Sequence, residues 1–78
     1  MTNLEKYEIA FIEMFNVEST LLATLEYQSI QDWDSIGHMS LIAALEEAFD
    51  IMMDTDDIID FSSFIKGMEI LKKYDVEI

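Results

Sequence analysis

The sequence predicts an all-α domain, a small four-helix bundle with a long first loop and a short third helix. Three observations carry that prediction. Apolar residues recur at three- and four-residue spacing through three separate stretches of the chain. Each of these stretches opens on Thr, Asp or Ser, the residues whose side chains satisfy the free amides of a helix N-terminus. Pro is absent and Gly occurs only 2 times in 78 residues, so little within the stretches would break a helix. A chain of this length makes one domain, residues 1–78, close to the size at which a single core is only just sufficient. It has no Cys, hence no disulfide and no thiol of its own for metal or redox chemistry.

The first helix is expected over about residues 3–15. Thr2-Asn3-Leu4-Glu5 has the form of a capping box, and Leu4, Tyr7, Phe11, Met14 and Phe15 follow on one stripe. Residues 16–34 read as an irregular loop, anchored to the core by Val17, Leu21, Leu22, Leu25, Ile30 and Trp33. A short helix opening at Ser19-Thr20 is expected within it. The second helix is expected over 35–50, with Asp34 or Ser35 at its cap. Plotted at helical period, His38, Leu41, Ile42, Leu45, Ala48 and Phe49 form the face to be buried. Ile36, Met39, Ser40, Ala43, Glu46, Glu47 and Asp50 fall on the opposite face. There Ile36, Met39 and Ala43 make a narrow apolar strip bordered by carboxylates, a pattern that suits docking by another protein.

A short third helix is expected over 55–60, begun by Asp54 or Thr55, with acids in the first turn where the helix dipole favours them. Asp54, Asp56 and Asp57 raise the question of calcium. Ile59 stands where an EF-hand loop needs Gly, and Ile65 where it needs its bidentate Glu, so that motif is rejected and only weak, nonspecific cation binding is expected. The last helix, about 62–74 with Ser62 or Ser63 as its cap, turns Phe64, Ile65, Met68, Leu71 and Tyr74 to one side. Gly67 in its interior costs about 1 kcal/mol relative to Ala, which points to a close contact with another element.

Charge narrows the partners. Lys6, Lys66, Lys72 and Lys73 are the only bases against 17 acids, for a net charge of −13. Such a field repels nucleic-acid backbones and anionic lipid and draws in basic protein surfaces, so no nucleic acid is expected among the partners. No apolar run reaches the ~20 residues of a membrane span, and the N-terminal residues lack the pattern of a signal peptide. These features lead to the expectation of a monomeric cytoplasmic protein.

The tetrapeptide Asp32-Trp33-Asp34-Ser35 places a hydroxyl at the head of the second helix. Unpaired amides and the positive end of the dipole favour an anion there, so a phosphate esterified to Ser35 would be well placed. Taken alone, Asp34-Ser35 reads far better as a plain helix cap, and the sequence downstream is what shifts the balance. The longer run D-S-I-G-H-M-S-L-I-A-A-L-E-E-A-F-D-I, Asp34 to Ile51, resembles the acyl carrier proteins, closely from Trp33 to near Met68 and loosely over the whole chain.

The resemblance implies that Ser35, flanked by Asp34 and Ile36, carries 4′-phosphopantetheine installed from coenzyme A by a phosphopantetheinyl transferase. The thiol of that arm would hold acyl groups as thioesters. It implies a non-catalytic carrier and partners that are acyl-loading and acyl-processing enzymes with basic docking surfaces. Carried over by position, their contacts would be Ile36, Met39, Ala43, Ala44, Glu46, Glu47, Met53 and Asp56. Gly37 and Ser40 stand where fatty-acid carriers have acids, and Asp54 where Pro is usual, which points to a specialised carrier outside general fatty acid biosynthesis. A D-alanyl or other aminoacyl carrier is one alternative, and an unmodified acidic adaptor is another. Ser35 and His38 lie one helical turn apart, as a serine nucleophile and its base would, but a lone His on an apolar face reads better as a packed, hydrogen-bonded residue near the prosthetic arm.

Overall fold

A computed structural model describes residues 1–78 and is all-α: four α-helices, one 3-10 turn and no strands. Helix α1 spans Asn3–Phe15, and its start is closed by the capping box read in the sequence. The Glu5 amide donates to Thr2 Oγ1 at 3.1 Å and the Thr2 amide donates to Glu5 Oε1 at 3.1 Å. Helix α2 spans Ser35–Phe49, α3 Thr55–Asp60 and α4 Phe64–Lys72. Neither long helix ends on Gly. Asn16 and Asp50, both at φ 53°, take the left-handed cap position after α1 and α2, a conformation that short polar side chains tolerate better than other non-glycine residues.

The core is mainly aromatic on the α1 side. Tyr7, Phe11 and Phe15 line one stripe of α1 and meet Trp33, Phe61 and Phe64, with Phe11 edge-on to Trp33 at 5.5 Å and to Phe64 at 5.0 Å between centroids. Leu41, Ile42 and Leu45 supply the α2 face, and Ile70 and Leu71 the α4 face. The buried Tyr7 hydroxyl donates to the Phe64 carbonyl at 2.6 Å, joining the start of α4 to α1. Burial raises the Tyr7 phenol well above its ordinary pKa, so it stays a donor. Gly67 lies directly over this contact: a Cβ there would stand 2.2 Å from Phe61 Cζ and 2.2 Å from Tyr7 Oη. The close approach expected at Gly67 is therefore present.

The segment between α1 and α2 is held in place by its backbone as well as by its apolar residues. Its 3-10 turn, Ser19–Thr24, buries Leu22 and contacts both α1 and α4. The Tyr27 amide donates to the Ser62 carbonyl at 2.8 Å, and the Phe64 amide donates to the Leu25 carbonyl at 3.0 Å. This pairing corrects the expected bounds of the last helix. Ser63 is extended and bridges to Glu26, and the Ser62 carbonyl is bonded to the first loop, so α4 starts at Phe64 with Ser63 as its cap, the Lys66 amide donating to Ser63 Oγ at 2.9 Å. The inner stripe of α4 then runs Phe64, Gly67, Ile70 and Leu71, which leaves Ile65, expected inside, 47% exposed. Leu4 in the first turn of α1 and Ala48 on α2 are likewise exposed rather than buried.

Candidate functional site

Ser35 is the first residue of α2, and Asp34 is its cap. Asp34 Oδ1 accepts from the Gly37 amide at 2.8 Å, and the Asp34 carbonyl accepts from the His38 amide at 2.7 Å. Capping is thus the work of Asp34 alone, and Ser35 presents an exposed hydroxyl that the helix does not need. The amides of Ser35 and Ile36 have no intrahelical carbonyl to reach, as at every helix start. The Asp34 carboxylate already occupies the third amide, so the anion-binding capacity of this helix end is partly spent on the chain's own side chain. The corner is tight because of Gly37. A Cβ at that position would lie 2.0 Å from the Asp32 carbonyl oxygen and 3.3 Å from Phe15 Cε1, so the absence of an acid there has a steric cause in this chain.

His38 is a clasp. The buried Trp33 Nε1–H donates to His38 Nδ1 at 2.9 Å, which assigns the proton to Nε2, and Nε2–H donates to the Ile58 carbonyl at 2.8 Å. That carbonyl lies in the last turn of a six-residue helix and has no intrahelical partner, so His38 satisfies it and fastens α3 to α2. Both ring nitrogens are engaged, and neither is left to take a proton from Ser35. The indole and imidazole planes are within 16° of parallel, with centroids 6.2 Å apart, as an in-plane hydrogen bond between them requires. The five-residue separation of Trp33 and His38 gave no sign of this pairing, and a backbone acceptor at Ile58 has no signature in sequence.

Beside Ser35 the junction of α2, α3 and the first loop leaves a cleft of about 330 Å³, open on one side and lined by Tyr27, Ser35, His38, Met39, Ile58, Ile59, Phe61 and Ser62. No Asp, Glu, Lys or Arg lines it. Tyr27, which the sequence did not single out, closes part of its wall with its ring edge-on to His38 at 5.3 Å.

The expected contact residues divide into two groups. Ile36, at 78%, and Met39, at 53%, are exposed on α2 together with Ala43 and Glu47, and Asp56 is exposed on α3. Ala44 and Glu46 are half-buried, and the Glu46 carboxylate is engaged within the chain, where its Oε2 accepts from the Met53 amide at 2.9 Å. That bond turns the chain inward after α2 and places Met53 in the core, which removes Met53 from the contact set. The exposed apolar residues of this region are instead Met52 and Ile59, at 86% and 71% exposed.

A second fastening holds the far side of α3. Asp57 Oδ1 accepts from Lys73 Nζ at 2.6 Å and Oδ2 accepts from the Tyr74 hydroxyl, which in turn accepts from the Asp54 amide at 2.9 Å. Lys73 first, then Tyr74, hold the Asp57 carboxyl below its usual range, and the same bond to Asp57 raises the Tyr74 phenol. A lowered carboxyl favours the folded state above its unfolded pKa of about 4 and loses that contribution as pH falls further. The stability difference between the wild type and Asp57→Asn, measured by urea unfolding, is therefore expected to hold steady from pH 7 to about 5 and to shrink below about pH 4. A difference that grew on acidification would contradict the pairing. No set of three or more acidic or imidazole side chains converges to hold a metal ion, and no helix is long and apolar enough to cross a membrane.

No protein-family model, curated protein or solved structure matches the chain.

Proposed function

We propose that this chain is a carrier protein of the acyl-carrier kind, a four-helix bundle that holds acyl groups as thioesters on a 4′-phosphopantetheine arm attached to Ser35. The observation that carries this reading is the exposed, uncommitted hydroxyl of Ser35 at the head of α2, placed on the rim of an apolar cleft. Together they supply a point of attachment and a shelter within reach of it.

The residues present suit the arm. Ser35 Oγ is open to an incoming enzyme, the free Ser35 and Ile36 amides lie beside it, and no side chain at Gly37 crowds the corner. Attachment joins Ser35 Oγ to the phosphorus of the phosphopantetheine half of coenzyme A. The phosphoanhydride bond breaks, the nucleotide half leaves, and the serine proton passes to a base of the transferase, since His38 has no free lone pair for it. The arm supplies the thiol that the chain lacks. This chain's own work is to fix the position of Ser35 and to offer a face to successive enzymes, which tethering presents with cargo at high effective concentration. The reading locates the protein with coenzyme A in the cytoplasm.

Mass spectrometry after incubation with coenzyme A and a broad-specificity transferase tests the assignment. The wild type is expected to gain one phosphopantetheinyl unit and Ser35→Ala none. No gain by the folded wild type would favour an unmodified acidic adaptor instead.

The contact face is tested separately. Glu47→Lys with Asp56→Lys is expected to slow attachment about tenfold at low salt, and less at high salt, with the helical circular dichroism unchanged. Glu46 is left in place because its carboxylate caps the turn to Met53. Attachment at the wild-type rate would remove the acidic face from the recognition argument.

A further inference from the structure

We infer that the hydrogen-bond chain from Trp33 through His38 to Ile58 is a proton-operated latch that opens on one side only: a proton on His38 releases Trp33 and the loop leading to Ser35, and leaves α3 attached to α2. The latch works in the same way whatever Ser35 carries.

The asymmetry comes from the two partners of the ring. In the neutral imidazole Nδ1 accepts from the Trp33 indole N–H at 2.9 Å, and Nε2–H donates to the Ile58 carbonyl at 2.8 Å. A proton taken from solvent adds to the Nδ1 lone pair, and both ring nitrogens become donors. Two N–H groups then point at one another across the Trp33 contact, so that bond is lost. A carbonyl accepts from either form of the ring, and a bond from a charged donor is the stronger one. The Ile58 side therefore holds while the Trp33 side opens.

No neighbouring group absorbs the conflict. Trp33 is 0% exposed, and His38 is the acceptor that its N–H uses. Tyr27 and Phe61 stand edge-on to the imidazole at 5.3 and 6.0 Å, and neither brings a carboxylate. On the loop Asp32 and Asp34 flank Trp33, with Asp34 bonded to the Gly37 amide. On α3 Asp56 and Asp60 are exposed, and Asp57 is taken by Lys73 and Tyr74. The nearest acids on α2 itself, Glu46 and Glu47, lie more than two turns away, and α1 presents only the Phe11 and Phe15 rings to Trp33. None of these acids pairs with His38. A released indole N–H must therefore reach water, because leaving it buried and unbonded is costly. The turn moves with it: the Trp33 carbonyl accepts from the Gln28 amide at 2.9 Å, and the Trp33 amide donates to the Ile30 carbonyl at 3.2 Å. Ser35 follows two residues later.

The Trp33 bond exists only with the neutral ring, whereas the unfolded chain takes the proton freely. The contribution of the latch to stability is thus complete above the range in which histidine charges and is lost as pH falls through it, from about pH 7 to 5. The weakening of the Asp57 contacts begins only below about pH 4, so the two windows are separate.

His38 and Trp33 are the only His and the only Trp in the chain, so each ring gives a single set of NMR signals. At about pH 7.5 the imidazole nitrogens are expected to show one acceptor, Nδ1, and one N–H, Nε2. Between about pH 7.5 and 5.5 the protection of the indole N–H against hydrogen exchange, corrected for the intrinsic pH dependence of exchange, is expected to fall at least about tenfold as the ring titrates. Over the same range the Nε2–H signal bonded to Ile58 is expected to persist. His38→Gln, which does not titrate, is expected to keep its indole protection constant. Indole protection that stays constant while His38 titrates, loss of the Nε2–H signal before or together with the indole signal, no titration of His38 above about pH 5, or an equal fall in folded His38→Gln would each overturn the latch. The wild-type measurements decide the matter by themselves if His38→Gln does not fold.

Discussion

Gly67→Ala is expected to lower the free energy of unfolding by about 3 kcal/mol, a large share of the roughly 4–12 kcal/mol available to a domain of this size. Alanine is the better helix former by about 1 kcal/mol, so propensity alone predicts the opposite sign. Packing decides it. The new methyl carbon would stand 2.2 Å from both Phe61 Cζ and Tyr7 Oη, distances that no atom pair tolerates. Neither neighbour is a loose surface group. The Tyr7 hydroxyl is bonded to the Phe64 carbonyl at 2.6 Å, so moving it forfeits about 1 kcal/mol of hydrogen bonding in addition to the overpacking strain. Urea unfolding measures the loss. Pairing Gly67→Ala with Phe61→Leu should recover part of it, with a coupling above about 0.5 kcal/mol. If the single variant proved as stable as the wild type, the contact between α4 and α1 would have to be looser than described.

Gly37→Ala is expected to cost about 2 kcal/mol and to slow phosphopantetheine attachment at least tenfold. Here the obstacle is backbone, the Asp32 carbonyl oxygen at 2.0 Å, and backbone yields only by moving the whole turn from Asp32 to Ser35. That turn carries the cap at Asp34 and the hydroxyl at Ser35, so displacing it alters the angle at which Ser35 meets a transferase. A misplacement of about 1 Å is enough for a large loss of rate. Ile36→Ala is the control: it removes an exposed side chain from the same corner and leaves stability within about 0.5 kcal/mol. Attachment to Gly37→Ala at the wild-type rate would show that the turn can shift without carrying Ser35 out of reach.

The exposed face of α2 shows how far pattern reading reaches on a helix and where it stops beyond one. Ile36, Met39, Ala43 and Glu47 are exposed as the helical period of α2 required, although Ala48 on the opposite face is exposed as well and Glu46 is half-buried. In the connection after Asp50 there is no period to follow. Ile51, Met52 and Met53 are similar in hydrophobicity, yet Met52 is 86% exposed and Met53 6%. What sorts them is one hydrogen bond from the Met53 amide to Glu46 Oε2, between residues seven apart. The same limit applies to the site. Ser35 and its cap Asp34 were legible because capping is complete within a single turn, whereas Tyr27 reaches the cleft only through the pairing of its amide with Ser62.

By itself the sequence determined the number of helices and the starts of α1, α2 and α3, the acidic surface, the absence of any thiol, and a serine at the head of α2. Each of these follows from composition or from interactions spanning four residues or fewer, which a linear reading contains. The tertiary structure alone decided that α4 begins at Phe64, that Met53 turns inward, that His38 joins Trp33 to Ile58, and that Asp57 is bonded to Lys73 and Tyr74. Those outcomes depend on which distant groups the packed core brings within hydrogen-bonding reach, and local pattern, which marked His38 as a packed residue and Gly67 as a close contact, does not name the partners.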